Sequence, residues 1–128
     1  MNYDGINLVF LTHLSRSGST LLARMLDDYD DVCVTTEAEL PLELFGVKNY
    51  TPISFYSESE LRSYLKRVLL KTRFSTWNIN YEEVIILFQK AHSFPIMGPD
   101  LIRILLFLYR EKHSPGAKVV IYKSCPLM

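Results

Sequence analysis

Six consecutive residues near the start of the chain have the types and spacing of an oxyanion-binding loop. In a tight glycine turn that leads into a helix, successive backbone N–H groups bind a doubly charged oxyanion without a metal ion. Gly18 allows the turn and the close approach of a ligand, and Arg16 adds a planar cation that suits phosphate or sulfonate oxygens. A turn that only caps its helix would have a similar composition. The predicted anion loop consists of Ser15, Arg16, Ser17, Gly18, Ser19 and Thr20.

The anion loop differs from the nucleotide-hydrolysing P-loop, G-x-x-x-x-G-K-S/T. When Gly18 is aligned with the second glycine, His13 takes the place of the first glycine and Ser19 that of the lysine. Without this lysine the β- and γ-phosphates lose a point charge, and no strand ending in an aspartate for Mg²⁺ is evident. The pattern therefore disfavours an ATPase or GTPase and leaves a variant P-loop phosphotransferase as a minor alternative.

Two further charged residues follow apolar runs that resemble strands. Glu37 comes after 32–35, and Lys123 comes after 118–122. Both residues should therefore lie at the carboxyl ends of strands, where ligands of parallel sheets bind. Plainer interpretations remain open: Glu37 could cap a short helix near Glu39 or pair with a surface lysine, and Lys123 could be a solvated charge.

A parallel sheet is the element that would bring these residues together. Residues 6–14 have the composition of a buried strand, and apolar spacing after the anion loop predicts a helix to about Asp28. The order of strand, loop, helix, strand, helices and strand is typical of an α/β fold with crossover helices. Because ligands of such sheets bind at the carboxyl ends of the strands, the anion loop, Glu37 and Lys123 should meet at one edge.

The middle of the chain is predicted to be mainly helical. Capping and proline signals predict helices that begin near Ser57, Asn80 and Gly98. Residues 39–53 contain two prolines and a glycine, which predict a loop with short helical pieces.

Trp77 is expected in the core, with an acceptor groove as the alternative. Cys33 is expected to be buried, and the basic residues of the first of these helices, Arg62, Lys66, Arg67, Lys71 and Arg73, to form a solvated face.

The segment 14–22, Leu-Ser-Arg-Ser-Gly-Ser-Thr-Leu-Leu, resembles the 5′-phosphosulfate loop of sulfotransferases. The continuation through 24–34 to Glu37 is similar to the protein-tyrosine and related sulfotransferases. This resemblance implies a P-loop-NTPase-like sulfotransferase fold and transfer of a sulfuryl group from 3′-phosphoadenosine 5′-phosphosulfate (PAPS) to a hydroxyl acceptor, with no metal. It also implies that Arg16 contacts the sulfuryl group, that Glu37 is the catalytic base and that Lys123 contacts the transfer site.

The resemblance covers the amino-terminal part of a sulfotransferase domain. In this family a lysine precedes proline by two positions, whereas here Pro126 lies three positions after Lys123. The family's 3′-phosphate motif, an arginine and a serine, would follow this region and is not found before Met128. We therefore expect one partial domain over 1–128, and we keep a non-catalytic half-domain that binds a phosphate or a partner chain as the alternative. The last strand, 118–122, is expected to be an exposed edge that permits self-association.

The composition, with 48% hydrophobic and 22% charged residues, is that of a globular domain. Lys+Arg and Asp+Glu both count 14, so no overall basic field attracts nucleic acid or an anionic membrane. Two cysteines without a CxxC pair, together with three histidines, argue against a structural zinc site. The apolar runs are too short to cross a bilayer and no cleavable leader pattern is present, so we expect a cytoplasmic protein. The resemblance to sulfotransferases implies that the acceptor is a small molecule, a carbohydrate or a peptide.

Overall fold

The computed structural model describes residues 6–12, 25–26, 29–35, 40–41, 44, 53–71, 77–91 and 94–124. Three parallel strands form one sheet: β1, Asn7–Thr12; β2, Val32–Val34; and β5, Val119–Ser124. A small antiparallel pair consists of β3, Ser54–Phe55, and β4, Ile96–Met97. The helices are α1, Glu58–Lys71; α2, Tyr81–Ala91; and α3, Gly98–His113.

The parallel sheet has the strand order β1-β5-β2. Asn7 of β1 and Val32 of β2 both pair with Val119 of β5, one on each side of it. The predicted mixed α/β fold with a parallel sheet is confirmed for the described residues. The prediction that 118–122 forms an exposed edge is wrong, because β5 pairs on both sides. Its Val-Val-Ile-Tyr run is apolar on both faces, as expected of a central strand.

The three predicted helices are present, and their first turns use the expected side chains. Ser57 Oγ accepts a hydrogen bond from the backbone N–H of Glu60 at 3.2 Å, and the Glu60 carboxylate accepts one from Tyr56 N–H at 2.9 Å. Asn80 Oδ1 accepts the N–H of Glu82 at 2.9 Å at the start of α2. Since these side chains satisfy backbone groups that a helix leaves unpaired, they fix where α1 and α2 begin.

The helices and one face of the parallel sheet enclose the described core. The Trp77 side chain is fully buried, with its ring 4.9 Å from that of Tyr109 and 6.3 Å from that of Tyr122, both edge to face. Cys33 is 1% exposed. The predictions of a core Trp77 and a buried Cys33 are therefore confirmed.

The short β3–β4 pair was not predicted from the sequence. It consists of two residues in each strand, and the N–H of Gly98 beyond it donates to the C=O of Ile53 at 2.8 Å. Gly98 has no space for a side chain, because a Cβ there would lie 2.8 Å from the Cα of Leu44 and still nearer to its carbonyl oxygen. The glycine at the start of α3 therefore allows this helix to approach the backbone at Leu44.

Candidate functional site

Most of the predicted site residues lie outside the described part of the chain. These are the whole anion loop, Ser15, Arg16, Ser17, Gly18, Ser19 and Thr20, together with Glu37. The backbone of Lys123 is described and lies inside β5, where it pairs with Leu11 of β1. The prediction that Lys123 follows its strand is therefore wrong, because β5 continues to Ser124.

The described strands lead toward the predicted site residues at one edge of the sheet. β1 and β5 are parallel, and their last residues, Thr12 and Ser124, pair with each other. β2 is parallel to both and ends at Val34. We call these three strand ends the carboxyl edge. In sequence, the anion loop begins three residues after Thr12, and Glu37 comes three residues after Val34.

The central strand of the sheet separates the two strands that precede the anion loop and Glu37. Neighbouring strands are about 4.8 Å apart, so β1 and β2 are separated by roughly 10 Å with β5 between them. A ligand that reached both strand ends would therefore cross the end of β5. Lys123 is the next-to-last residue of this strand.

Hydrogen bonds to β5 lie on both sides of the segment that contains Glu37. The N–H of Thr35 donates to the C=O of Ile121 at 2.9 Å. The N–H of Leu40 donates to the hydroxyl of Tyr122 at 3.0 Å, in a buried environment. Thr35 and Leu40, which flank Glu37 in sequence, are thus bonded to Ile121 and Tyr122, the two residues of β5 before Lys123. Sequence analysis missed the role of Tyr122, because nothing in the sequence links it to Leu40.

No family model, curated protein or solved structure matches the chain. The candidate site therefore depends on the strand order and on the chemistry of its residues. Within the described ranges, no cluster of three or more His, Cys, Asp or Glu side chains is suited to hold a metal ion. Among the helices in the same ranges, none has both the length and the hydropathy needed to span a bilayer.

The basic residues of α1 contact neighbours within the protein. Arg62 donates hydrogen bonds to Glu82 and, at 2.9 Å, to Glu58. These bonds, the one to Glu82 most strongly, raise the pKa of Arg62 further above its usual range. The hydrogen bond from Arg62, followed by that from Gln89, lowers the pKa of Glu58. The ammonium of Lys66 lies 5.4 Å from the centre of the Tyr81 ring.

A third basic residue of α1, Arg67, also contacts a neighbour: its guanidinium lies 5.4 Å from the centre of the Tyr64 ring. Both Lys66 and Arg67 are exposed. The predicted solvated face is confirmed for Lys66 and Arg67, whereas Arg62 is only partly exposed and pairs with two glutamates. The side chain of Lys71 and all of Arg73 lie outside the described part.

Proposed function

We propose that the chain binds PAPS at the carboxyl edge and transfers its sulfuryl group to a hydroxyl acceptor, on a sulfotransferase-like fold. The main support is the topology: three parallel strands end at one edge, and the predicted anion loop and Glu37 follow two of those ends in sequence. Lys123 belongs to the strand between them. Three groups with the required chemistry thus come from neighbouring strand ends.

The anion loop is the proposed binding site for the 5′-phosphosulfate. Met25 and Leu26 are helical, which agrees with a helix after the loop. The backbone N–H groups of the loop and the positive end of that helix would bind the phosphate and sulfonate oxygens. Arg16 would add two donors in one plane and a fixed charge.

The transfer itself needs a base and stabilisation of negative charge. The acceptor oxygen attacks sulfur, an O–S bond forms, and the bond from sulfur to the 5′-phosphate oxygen breaks. The electron pair of that bond leaves with adenosine 3′,5′-bisphosphate. Glu37 takes the acceptor proton, which accelerates such a step by roughly 10²–10⁴-fold. Arg16 and Lys123 stabilise the charge on the sulfuryl and leaving oxygens, and one preorganised donor of this kind lowers the barrier by about 3 kcal/mol.

The hydrogen bonds around residues 36–39 support a catalytic position for Glu37. A general base must stay within hydrogen-bond reach of the proton that it removes. The bonds from Thr35 to Ile121 and from Leu40 to Tyr122 hold both flanks of this short segment against β5. Glu37 lies between these two bonded residues in sequence.

The first test is calorimetric titration of the purified chain with adenosine 3′,5′-bisphosphate. We expect binding that is lost in Arg16→Ala and weakened in Lys123→Ala. Lys118→Ala is the matched control, because Lys118 is an exposed lysine at the opposite end of β5 and should leave binding unchanged. Equal binding by the wild type and Arg16→Ala would exclude the anion loop as the donor site.

The second test separates catalysis from binding. We expect Glu37→Gln to bind adenosine 3′,5′-bisphosphate as the wild type does, while sulfuryl transfer from PAPS to a panel of phenolic, sugar and tyrosyl-peptide acceptors falls at least a hundredfold. Binding without transfer by the wild type would instead favour the non-catalytic half-domain. The absence of binding by a folded chain would contradict the donor site and leave the half-domain that binds a partner chain as the remaining alternative.

A further inference from the structure

The outer side of β1 offers backbone groups that no described residue bonds. Asn7 N–H donates to the C=O of Lys118 at 2.9 Å, so Asn7 directs its backbone groups toward β5. Successive residues of a strand alternate in this direction, and the N–H and C=O of Leu8 and Phe10 therefore point away from β5. Among the described residues, β1 pairs with no strand other than β5.

The sequence of β1 lacks the features that usually protect an edge strand. Natural edges carry charged residues, proline or a bulge that prevents pairing with another chain. β1 reads Asn-Leu-Val-Phe-Leu-Thr, with no charge and no proline. Its Val9 side chain is 44% exposed, whereas Ile121, its partner on β5, is 8% exposed. The strand has the composition of one that is covered on both sides.

A groove follows this edge on the side of α3. It has a volume of about 280 Å³, and its described lining comes from β1, from the residue before it and from α3, with no residue of β5. Such a volume is below that of a typical small-molecule pocket and fits one apolar side chain better than a whole ligand. The lining residues are Ile6, Asn7, Leu8, Arg103 and Phe107.

Arg103 gives the groove its charge. The other arginines of the described part all have partners: Arg62 pairs with two glutamates, Arg67 lies over the Tyr64 ring, and Arg110 pairs with Glu111. Arg103 is exposed and has no acidic or aromatic partner among the described residues. It stands one helical turn from Phe107, so a cation and an aromatic ring border the same groove.

We propose that the outer edge of β1 binds an extended polypeptide segment from another chain, which adds to the sheet as a strand. Its backbone bonds the outward groups of Leu8 and Phe10, an apolar side chain fills the groove, and an Asp or Glu side chain pairs with Arg103. This is β-strand addition, in which main-chain bonds give affinity and side-chain pockets give specificity. The groove lies at the amino end of β1, so this interaction surface is separate from the carboxyl edge.

The test uses fluorescein-labelled heptapeptides of alternating valine and threonine. Three peptides carry a single glutamate at the second, fourth or sixth position, and three matched peptides carry lysine there. We expect at least one glutamate peptide to bind about tenfold more tightly than its lysine counterpart in fluorescence anisotropy. In Arg103→Glu, which changes an exposed side chain, the preference should reverse, whereas the matched control Arg67→Glu should keep it.

Backbone pairing has its own readout. On binding the best peptide, the Leu8 amide should exchange with deuterium at least tenfold more slowly, and the same peptide N-methylated at alternate residues should not bind. A folded chain that binds none of the peptides would overturn the proposal, as would binding indifferent to the exchange of charges. The chain alone could instead form a dimer in which the Leu8 amide exchanges slowly and which Arg103→Glu does not weaken. In that case a second copy of this chain occupies the edge, and the proposal of an acidic segment is wrong.

Discussion

The helical layer, formed by α1, α2, α3 and Trp77, and the carboxyl edge of the sheet are held together in different ways. In the helical layer, side chains provide the contacts: Trp77 is fully buried, and ion pairs such as that between Lys112 and Glu83 at 3.0 Å join the helices. At the carboxyl edge, the described bonds are those of the backbone, with the hydroxyl of Tyr122 as an additional acceptor. Among the described residues, the helical layer is therefore joined mainly by side-chain contacts, and the carboxyl edge mainly by backbone pairing.

The largest expected effect on stability is in the helical layer. Trp77→Ala should lower the free energy of unfolding by about 3–5 kcal/mol, because it removes a fully buried indole that contacts two aromatic rings. Chemical denaturation followed by far-ultraviolet circular dichroism measures this loss. A decrease below about 1 kcal/mol would show that the helical layer is not the stabilising part.

The next effect tests the close approach at the start of α3. Gly98→Ala should cost roughly 3 kcal/mol, because the new methyl group would overlap the backbone of Leu44, which cannot rotate away. Gly116→Ala is the matched control: nothing lies within 4 Å of its Cβ position, but its φ of 91° strains an alanine. It should cost about 1 kcal/mol. Equal losses in the two variants would contradict the close approach to Leu44.

A smaller effect on stability is expected at the carboxyl edge. Tyr122→Phe leaves the buried N–H of Leu40 without its acceptor and should cost about 1–2 kcal/mol. Hydrogen exchange should accelerate at Leu40 more than in α3. If the carboxyl edge is the catalytic site, the variant should bind adenosine 3′,5′-bisphosphate normally. Its rate of sulfuryl transfer should still fall under conditions in which the variant is fully folded. Unchanged exchange at Leu40 would refute the anchoring role of Tyr122.

The smallest effect concerns the ion pairs on the surface of the helical layer. The pKa of Glu58 is lowered from its usual value of 4.5 by the hydrogen bond from Arg62, so its contribution is present above about pH 4.5 and is lost as the pH falls through the lower, folded value. Thermal melts of the wild type and Glu58→Gln should differ slightly at pH 7 and converge at low pH. A difference that grows with acidity would have the wrong sign.

The elements with strong local signals were predictable from the sequence. Ser57 and Asn80 cap α1 and α2 as their types indicated, and Pro99 lies in the first turn of α3. The order of the elements also favoured a parallel sheet, because strands separated by helices usually pair in parallel. It did not indicate which strands are neighbours. These features depend on residues a few positions apart, where propensity and capping act directly.

The features that sequence analysis missed depend on residues far apart. The central position of β5 follows from pairing with β1 and β2, which local composition does not encode. The β3–β4 pair has two residues in each strand, too few for a periodic pattern. The bond between Leu40 and Tyr122 likewise needs the folded chain. For the candidate site, residue chemistry and spacing predicted the anion loop, Glu37 and Lys123. The contact between Leu40 and Tyr122 became visible only in the folded structure.

The central position of β5 also has a consequence for synthesis of the protein on the ribosome. β1 emerges before β5, yet Asn7 pairs with Val119, which lies far along the sequence, and β2 pairs with the same strand. Until β5 has left the exit tunnel, the described parts of β1 and β2 have no parallel neighbour, whereas α1, α2 and α3 can already form. The nascent chain therefore exposes the apolar β1 until residues 119–124 have emerged, which makes β1 the expected binding site for a chaperone during that time.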